Sequence, residues 1–247
     1  MASVSLPALP APTRFQLALW SGAIGAAAAL ILAAGVRLAT AVDLLQWWVP
    51  LAWIAGMAAA DFGSGLVHWG ADTWGRATLP VVGPRFLVPF RVHHLNPDDF
   101  LRRRFLDANG DTAALTIPAL LALVLMPLDT LGLRMLAVAS LACCTLGALT
   151  NQVHQWAHMT RPPRAVRGLQ ALGLLLRPTD HAAHHADVFD ASYCITTGWC
   201  NRPLEALDFF RRLERVVTWL TGLEPREDER DVHRSSPGNE RRAHARA

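Results

Sequence analysis

Eight histidines stand in groups whose spacing suits a shared metal site. On a helix, residues three and four positions apart lie on one face, so His154 with His158 can aim two imidazoles at one point, and His181 can do so with the histidines that follow it. The adjacent pair His93 and His94 would point about 100° apart on a helix, so this pair taken alone is weaker evidence. Imidazole is a good ligand for zinc, copper, iron and nickel. The candidate metal ligands are His68, His93, His94, His154, His158, His181, His184 and His185.

The number of candidate ligands favours two redox-active metal ions over a single zinc. Eight imidazoles exceed the three or four protein ligands of one zinc site. Gln155 stands where a HExxH zinc protease has its glutamate base, which argues against that enzyme class. Two iron ions with positions open to O2 fit better, because zinc offers no redox chemistry. A dizinc membrane hydrolase stays as the alternative, although the sequence has no obvious partner nucleophile motif.

Two carboxylates are predicted to share a helical stripe with His68. Asp61 lies seven residues before this histidine and Asp72 four residues after it, so a helix places all three on one face. A carboxylate there can accept the second N–H of the imidazole and so fix the orientation of the ring. Burying the charge of Asp61 in an apolar helix costs about 2.5–3.5 kcal/mol, which favours a paired or functional role for it.

The elements that carry these residues are predicted to be membrane-spanning helices. Of the 247 residues 52% are hydrophobic and only 17% charged, whereas soluble domains carry about 25% charged residues. Four apolar stretches are long enough to cross ~30 Å of hydrocarbon at 1.5 Å per residue. They are residues 15–36, 44–66, 113–133 and 135–156. The first could be a cleaved signal peptide, but it is longer than the usual apolar core of one. We expect an all-α, multi-pass integral membrane protein with about four transmembrane helices.

The distribution of arginine sets the expected orientation. Arginines cluster between the second and third spans and after the fourth, whereas the opposite side carries only Arg37 and Arg134. By the positive-inside rule both termini are then cytoplasmic, and all eight histidines lie on the inner side at one depth. We expect a bacterial inner membrane. The net charge of only +3 argues against a nucleic-acid partner.

The remaining segments are expected to frame the membrane domain. We predict an N-terminal tail at residues 1–14, a membrane domain at 15–223 and a disordered charged tail at 224–247, which holds His233 and His244. Asn109, Gly110 and Asp111 are predicted to form a turn and helix cap before the third span.

Five motifs, in this order, resemble the Kua/CarF lipid desaturase family. They are "GLVHWGADTWG", "PFRVHHLNP", "DANGD", "TNQVHQWAH" and "YCITTGWCNRPLEALDFFRRLE", and the resemblance covers about residues 44–215. The resemblance implies a four-helix membrane di-iron oxidase with the eight histidines as iron ligands. Such an enzyme uses O2 and two electrons from a carrier such as cytochrome b5 or ferredoxin to remove two hydrogens from a lipid chain. In the plasmalogen-forming branch of the family, the 1-O-alkyl chain of an ethanolamine phospholipid becomes a vinyl ether.

Three positions depart from the pattern of that branch. Asp180, Arg103 and Gly173 stand where histidines are expected, and Asp180 could itself supply an oxygen ligand or support the site from outside it. These departures leave two alternatives. The substrate could be an ester-linked acyl chain of a phospholipid, or the protein could be a non-catalytic membrane regulator with a degenerate metal site.

Overall fold

Every regular element in the described part of the chain is helical. The structure is a computed structural model that describes residues 11–186 and 191–226. A π-helical turn at Gly83–Leu87 leads directly into the third helix. In chain order the helices are α1 (Arg14–Ala41), α2 (Trp48–Thr73), α3 (Val88–Leu95), α4 (Pro97–Leu101), α5 (Phe105–Leu125), α6 (Leu131–Ala148), α7 (Thr150–His158), α8 (Arg164–Ala171), α9 (Pro178–Ala186), α10 (Asn201–Ala206) and α11 (Phe209–Thr221).

Four of these helices are long and apolar enough to span a bilayer, and they pack as a bundle. They are α1, α2, α5 and α6. Helix α1 packs on α5, and α2 packs on α6. Close approach depends on small residues, as at Gly56, where a side chain would collide with the backbone of Ala139. The prediction of an all-α integral membrane protein with four spans is confirmed.

The predicted bounds of the third and fourth spans were wrong. Helix α5 begins at Phe105 and ends at Leu125, eight residues earlier than expected at each end. Pro127 explains the early stop, because the residue before a proline is driven out of the helical region, and Met126 has an extended ψ of 132°. Thr130 then caps the next helix by accepting a hydrogen bond from the N–H of Leu133.

The fourth span, unlike the third, is shorter than predicted. Helix α6 ends at Ala148, and α7 starts after a break at Leu149, whose φ and ψ are −104° and 5°. The break separates the span from α7, which carries His154 and His158 at the end of the bundle. We call this end, which also holds the end of α2 and the start of α5, the histidine end.

The motif at residues 109–111 lies inside α5, so the predicted turn and cap were wrong. Asn109 donates to the side chain of Gln152 over 3.3 Å, and a Cβ at Gly110 would collide with the ring of Trp20. Asp111 accepts from the indole N–H of Trp20 at 3.0 Å and pairs with Arg85. The three residues therefore join α5 to α7, to α1 and to the π-helical turn.

Short helices and loops cover the histidine end. Helix α11 packs Phe210, Leu213 and Val217 against Trp69 and Tyr193, and the carbonyl of Thr73 accepts from the N–H of Arg226 at 2.9 Å. Most of the predicted tails, at residues 1–10 and 227–247 with His233 and His244, lie outside the described residues. The division into a membrane domain and two tails stays a prediction.

Candidate metal centre

The structure brings all eight predicted histidines together in two adjoining groups. Within each group the potential ligand atoms all lie within 4.8 Å of one another. The groups adjoin, since the ring centroids of His93 and His94 are 4.3 Å apart and those of His184 and His185 are 5.4 Å apart. The first, here called the five-histidine group, comprises His93, His154, His158, His181 and His185. The second, the carboxylate–histidine group, comprises His68, Asp72, His94 and His184.

Helical spacing explains why histidines of one helix are divided between the two groups. On α9, the i,i+4 pair His181 and His185 faces the five-histidine group, whereas His184 turns to the other group. On α3, the adjacent residues His93 and His94 diverge, so each group receives one of them. Because the two side chains point in different directions, one short helix contributes a histidine to each group.

In the five-histidine group, Nε2 atoms meet around His181. The Nε2 of His181 lies 2.9 Å from that of His154, 2.8 Å from that of His158 and 3.0 Å from that of His185. His93 is almost fully buried, and its Nε2 has no hydrogen-bond partner in the described part of the chain. Its ring centroid is 4.8 Å from that of His154.

In the carboxylate–histidine group, three imidazoles surround one carboxylate oxygen. Oδ2 of Asp72 lies 3.2 Å from Nε2 of His68 and 3.7 Å from Nε2 of both His94 and His184. The Nε2 atoms of His94 and His184 are 3.1 Å apart. All four residues are buried.

Backbone carbonyls, rather than the predicted carboxylates, orient two of these rings. Nδ1 of His68 donates to the carbonyl of Tyr193 at 3.0 Å, and Nδ1 of His184 donates to the carbonyl of Ala191 at 2.6 Å. This assignment makes Nε2 the acceptor nitrogen of each neutral ring. Asp72 was expected to accept from the imidazole, but it faces the same nitrogen that a metal would use.

Asp61 anchors the loop that supplies one of those carbonyls. Its Oδ1 accepts from the backbone N–H groups of Thr196, Thr197 and Gly198 at 2.8–3.1 Å, and its Oδ2 accepts from that of Cys200 at 2.9 Å. The predicted direct contact with a histidine was wrong, because these donors occupy the carboxylate. The cost of burying it is offset by charge-assisted hydrogen bonds, so Asp61 supports the centre only through residues 193–200.

The donor set fits metal ions. The acceptor nitrogens of His68 and His184 face the carboxylate of Asp72, and this gathering of lone pairs is unfavourable unless a cation lies among them. Burial lowers the pKa of five imidazoles well below the usual value, and neighbouring imidazoles lower it further; these are His93, His94, His154, His181 and His184. Burial also lowers the pKa of His158 to about 4. Neutral imidazoles are the form that binds metal.

Comparison with known proteins gives the family. Residues 57–228 match the lipid desaturase domain family. The chain belongs to the lipid desaturase family. It is 39% identical over 183 residues to a plasmanylethanolamine desaturase of Myxococcus xanthus, a match that covers 74% of this chain and 65% of that protein. It is 42% identical over 187 residues to plasmanylethanolamine desaturase 1 of Mus musculus, covering 73% and 69%.

More distant relatives carry a different name. The chain is 35% identical over 181 residues to the chloroplastic fatty acid desaturase 4 of Arabidopsis thaliana, covering 71% of this chain and 54% of that protein. The chain thus covers less than two thirds of the length of the bacterial and plant relatives. No solved structure gives a significant match. The resemblance to lipid desaturases expected from the sequence motifs is confirmed.

The three positions where this chain departs from the expected histidine pattern lie outside both groups. Asp180 is half-buried, and its Oδ1 accepts from the hydroxyl of Thr179 at 3.4 Å. Gly173 has a positive φ of 70°, and its carbonyl accepts from the indole of Trp199 at 2.6 Å. Arg103 pairs with Asp99 at 3.3 Å. The eight histidines converge without a contribution from these three positions.

A cavity of about 390 Å³ leads from the five-histidine group into the helix bundle. His93 and His154 line it, and its lining on α5 runs from Asp107 to Ala119, which are 12 residues or about 18 Å apart at 1.5 Å per residue. Leu115 and Val67 line the cavity and are also 72% and 46% exposed on the outside of the bundle. The cavity therefore opens between α2 and α5 toward the space that lipid occupies.

Sequence reasoning missed three features of this site. It did not identify Asp72 as part of a group, the carbonyls of Ala191 and Tyr193 as partners of the histidines, or Gln155 as a tie between α7 and the loop before α5. The spacing of Asp72 from His68 is compatible both with a carboxylate that orients the imidazole and with one that belongs to the metal-binding group. The partners that backbone carbonyls find cannot be predicted from residue types, because every residue has a carbonyl. The position of Gln155 between His154 and His158 could have indicated that its side chain supports the site.

Proposed function

We propose that this protein is a di-iron, O2-dependent desaturase of a membrane phospholipid. The observation that carries the proposal is the pair of adjoining histidine groups at the end of a cavity that opens toward the bilayer. The eight histidines and Asp72 would hold two iron ions, which supply the chemistry that activates O2. Overall, O2, two electrons and two protons are consumed, two hydrogens leave adjacent carbons of the chain, and two waters form.

The protein's own residues bind and position the substrate in this proposal. Small residues such as Gly63 and Ala60 on α2 and Gly147 on α6 leave room for an alkyl chain in the part of the cavity that α5 also lines. Phe90 and Phe100 line the cavity beside the histidines and exclude water around the reacting carbons. The carbonyls that fix His68 and His184 keep their Nε2 atoms directed at the centre.

The proposed substrate is a 1-O-alkyl (plasmanyl) ethanolamine phospholipid, and the product is the vinyl ether of a plasmalogen. Two relatives that are 39% and 42% identical bear the name plasmanylethanolamine desaturase. The position of the histidine groups at the end of the spans favours oxidation near the headgroup, where the first two carbons of the alkyl chain lie.

We further infer that both termini and the histidine end are cytoplasmic, in a bacterial inner membrane. The arginines that border the histidine end support this orientation. His158 and His185 are only half-buried, so a soluble carrier such as cytochrome b5 or ferredoxin can approach the five-histidine group from that side and deliver the two electrons.

Expression in a host that lacks plasmalogens tests the proposal. Membranes supplied with alkyl phospholipid should release aldehydes on acid treatment when they contain this protein, and not when they contain His184→Ala. Unchanged alkyl lipids in the presence of iron-loaded protein would contradict it. Desaturation of an ester-linked acyl chain is the second candidate, supported by the 35% identity to fatty acid desaturase 4. Its product is an unsaturated fatty acid without aldehyde release. A non-catalytic regulator would change neither lipid.

A further inference from the structure

Of Arg85, Arg103 and Arg104, Arg103 makes the fewest side-chain hydrogen bonds in the described part of the chain. Arg85 forms a bidentate pair with Asp111, and Arg104 contacts both carboxylate oxygens of Asp107. Arg103 lines the cavity, and among the residues that the structure describes its guanidinium donates only to Asp99, through Nη2 at 3.3 Å. A guanidinium has five N–H donors, so most of those on Arg103 remain available to a ligand.

The guanidinium of Arg103 lies one aromatic ring away from the five-histidine group. Its Cζ is 5.8 Å from the centre of the Phe100 ring. The centroid of that ring is in turn 4.9 Å from that of His154 and 5.9 Å from that of His93. A ligand anion held by Arg103 would therefore lie beside the candidate metal centre, at the wall of the cavity.

Gln155 fixes this arginine relative to the histidines. The side-chain amide of Gln155 donates to the carbonyl of Phe100 at 2.8 Å and to the carbonyl of Arg103 at 3.0 Å. Gln155 lies on α7 between His154 and His158. The segment that carries Arg103 is thus tied to the helix that carries two candidate ligands, and its distance from them is set by the fold.

We propose that Arg103 binds the phosphodiester of the lipid substrate. Its planar fork matches two phosphate oxygens, and its side chain is only 18% exposed, which strengthens a charge-assisted bond. In a phospholipid the glycerol unit joins the phosphodiester to the chain, so binding of the phosphate at Arg103 would fix how far the first carbons of the chain lie from this residue. Arg103 would therefore select phospholipids over phosphate-free lipids and determine which carbons reach the centre. This inference rests on the proposed desaturase function.

The test compares Arg103→Gln with Arg104→Gln in the full-length, iron-loaded protein. Arg104 is the adjacent arginine, has a side chain that is 63% exposed and does not line the cavity. The substrates are 1-O-alkyl-2-acylglycerophosphoethanolamine and the phosphate-free 1-O-alkyl-2-acylglycerol, or the matching diacyl lipids if the acyl chain is the substrate. Wild type and Arg104→Gln should prefer the phospholipid in kcat/KM.

Arg103→Gln should lose this preference by about ten- to a hundredfold, mainly through KM, as expected when a hydrogen bond to a charged group is removed. Turnover of the phosphate-free lipid and the iron content should stay at wild-type levels. Arg103→Lys should recover part of the preference, because it restores the charge without the fork. Product mass spectrometry should show the double bond spread over adjacent carbons in Arg103→Gln.

An unchanged preference in Arg103→Gln, or an equal loss in Arg104→Gln, would overturn the inference. A free phosphate ion offers the same chemistry as the lipid phosphodiester. Inorganic phosphate added with the phosphate-free lipid should leave turnover unchanged, and a stimulation that depends on Arg103 would assign the site to the free anion instead. If wild type desaturates neither kind of lipid, the proposed function fails, whereas active wild type with an indifferent Arg103→Gln contradicts only this inference.

Discussion

The two histidine groups adjoin but are built on different principles. The five-histidine group draws only imidazoles from three helices, and two of its members, His158 and His185, are half-buried. The carboxylate–histidine group is fully buried, contains Asp72, and has two rings fixed by backbone carbonyls. The first has one candidate ligand more than the second, and the second has two candidate ligands whose rings are fixed by backbone carbonyls. We therefore expect that the five-histidine group still binds metal after the loss of one imidazole, whereas the carboxylate–histidine group does not.

The largest expected effect comes from removing a ligand of the smaller group. His184→Ala should lower desaturase activity by more than about a hundredfold, beyond what loss of a supporting contact alone causes, and should release one metal ion. The matched variant is His185→Ala, which removes one of five imidazoles from the other group. It should keep more metal and more activity. Equal losses in the two variants would remove the proposed distinction between the groups.

Asp72→Asn tests what the carboxylate contributes. The amide keeps the size of the side chain but removes the negative charge that offsets a metal cation, so metal affinity should fall by about ten- to a hundredfold. Metal titration of purified protein measures this change. Asp180→Asn is the control, because Asp180 belongs to neither group. A comparable loss in Asp180→Asn would mean that this residue, and not only Asp72, serves the centre.

Sequence patterns predicted which histidines come together more completely than they predicted the elements that carry them. The i,i+4 spacing on α7 and α9 has few physical interpretations, so His154, His158 and His181 could be assigned from it. The ends of α5 depend on Pro127 and on polar residues that find partners only in the folded bundle. The bonds of Asp61 to residues 196–200 are contacts across more than 130 positions, and no local pattern encodes them.

Asp61→Asn should act on the carboxylate–histidine group from a distance. An amide NH2 in place of one oxygen would meet backbone N–H donors, which should destabilise the loop by about 1–3 kcal/mol. The thermal unfolding midpoint should fall, and activity should decrease about tenfold as the Tyr193 carbonyl loses its fixed position relative to His68. Metal in the five-histidine group should be retained. Full activity together with normal metal content would show that the loop has no positioning role.

The smallest expected effect concerns the tie between α7 and the loop before α5. Gln155→Ala should reduce activity about three- to tenfold, since its side chain takes part in three hydrogen bonds, with Phe100, Arg103 and Gln152, and each is worth about 0.5–1.5 kcal/mol. Gln170→Ala removes a similar buried bond, to the carbonyl of Leu176 at 3.0 Å, away from the cavity lining. In a steady-state assay Gln155→Ala should therefore be less active than Gln170→Ala, even if the two variants have the same thermal stability. Equal activities would leave Gln155 with a structural role only.

Metal content per purified chain tests the central claim most directly. Elemental analysis of protein expressed with ample iron should give about two iron ions per chain in wild type, as two adjoining groups require, and about one in His184→Ala. The remaining ion should be held by the five-histidine group. A wild-type value of about one, zinc in place of iron, or no decrease in His184→Ala would contradict the assignment of two separate iron sites to these residues.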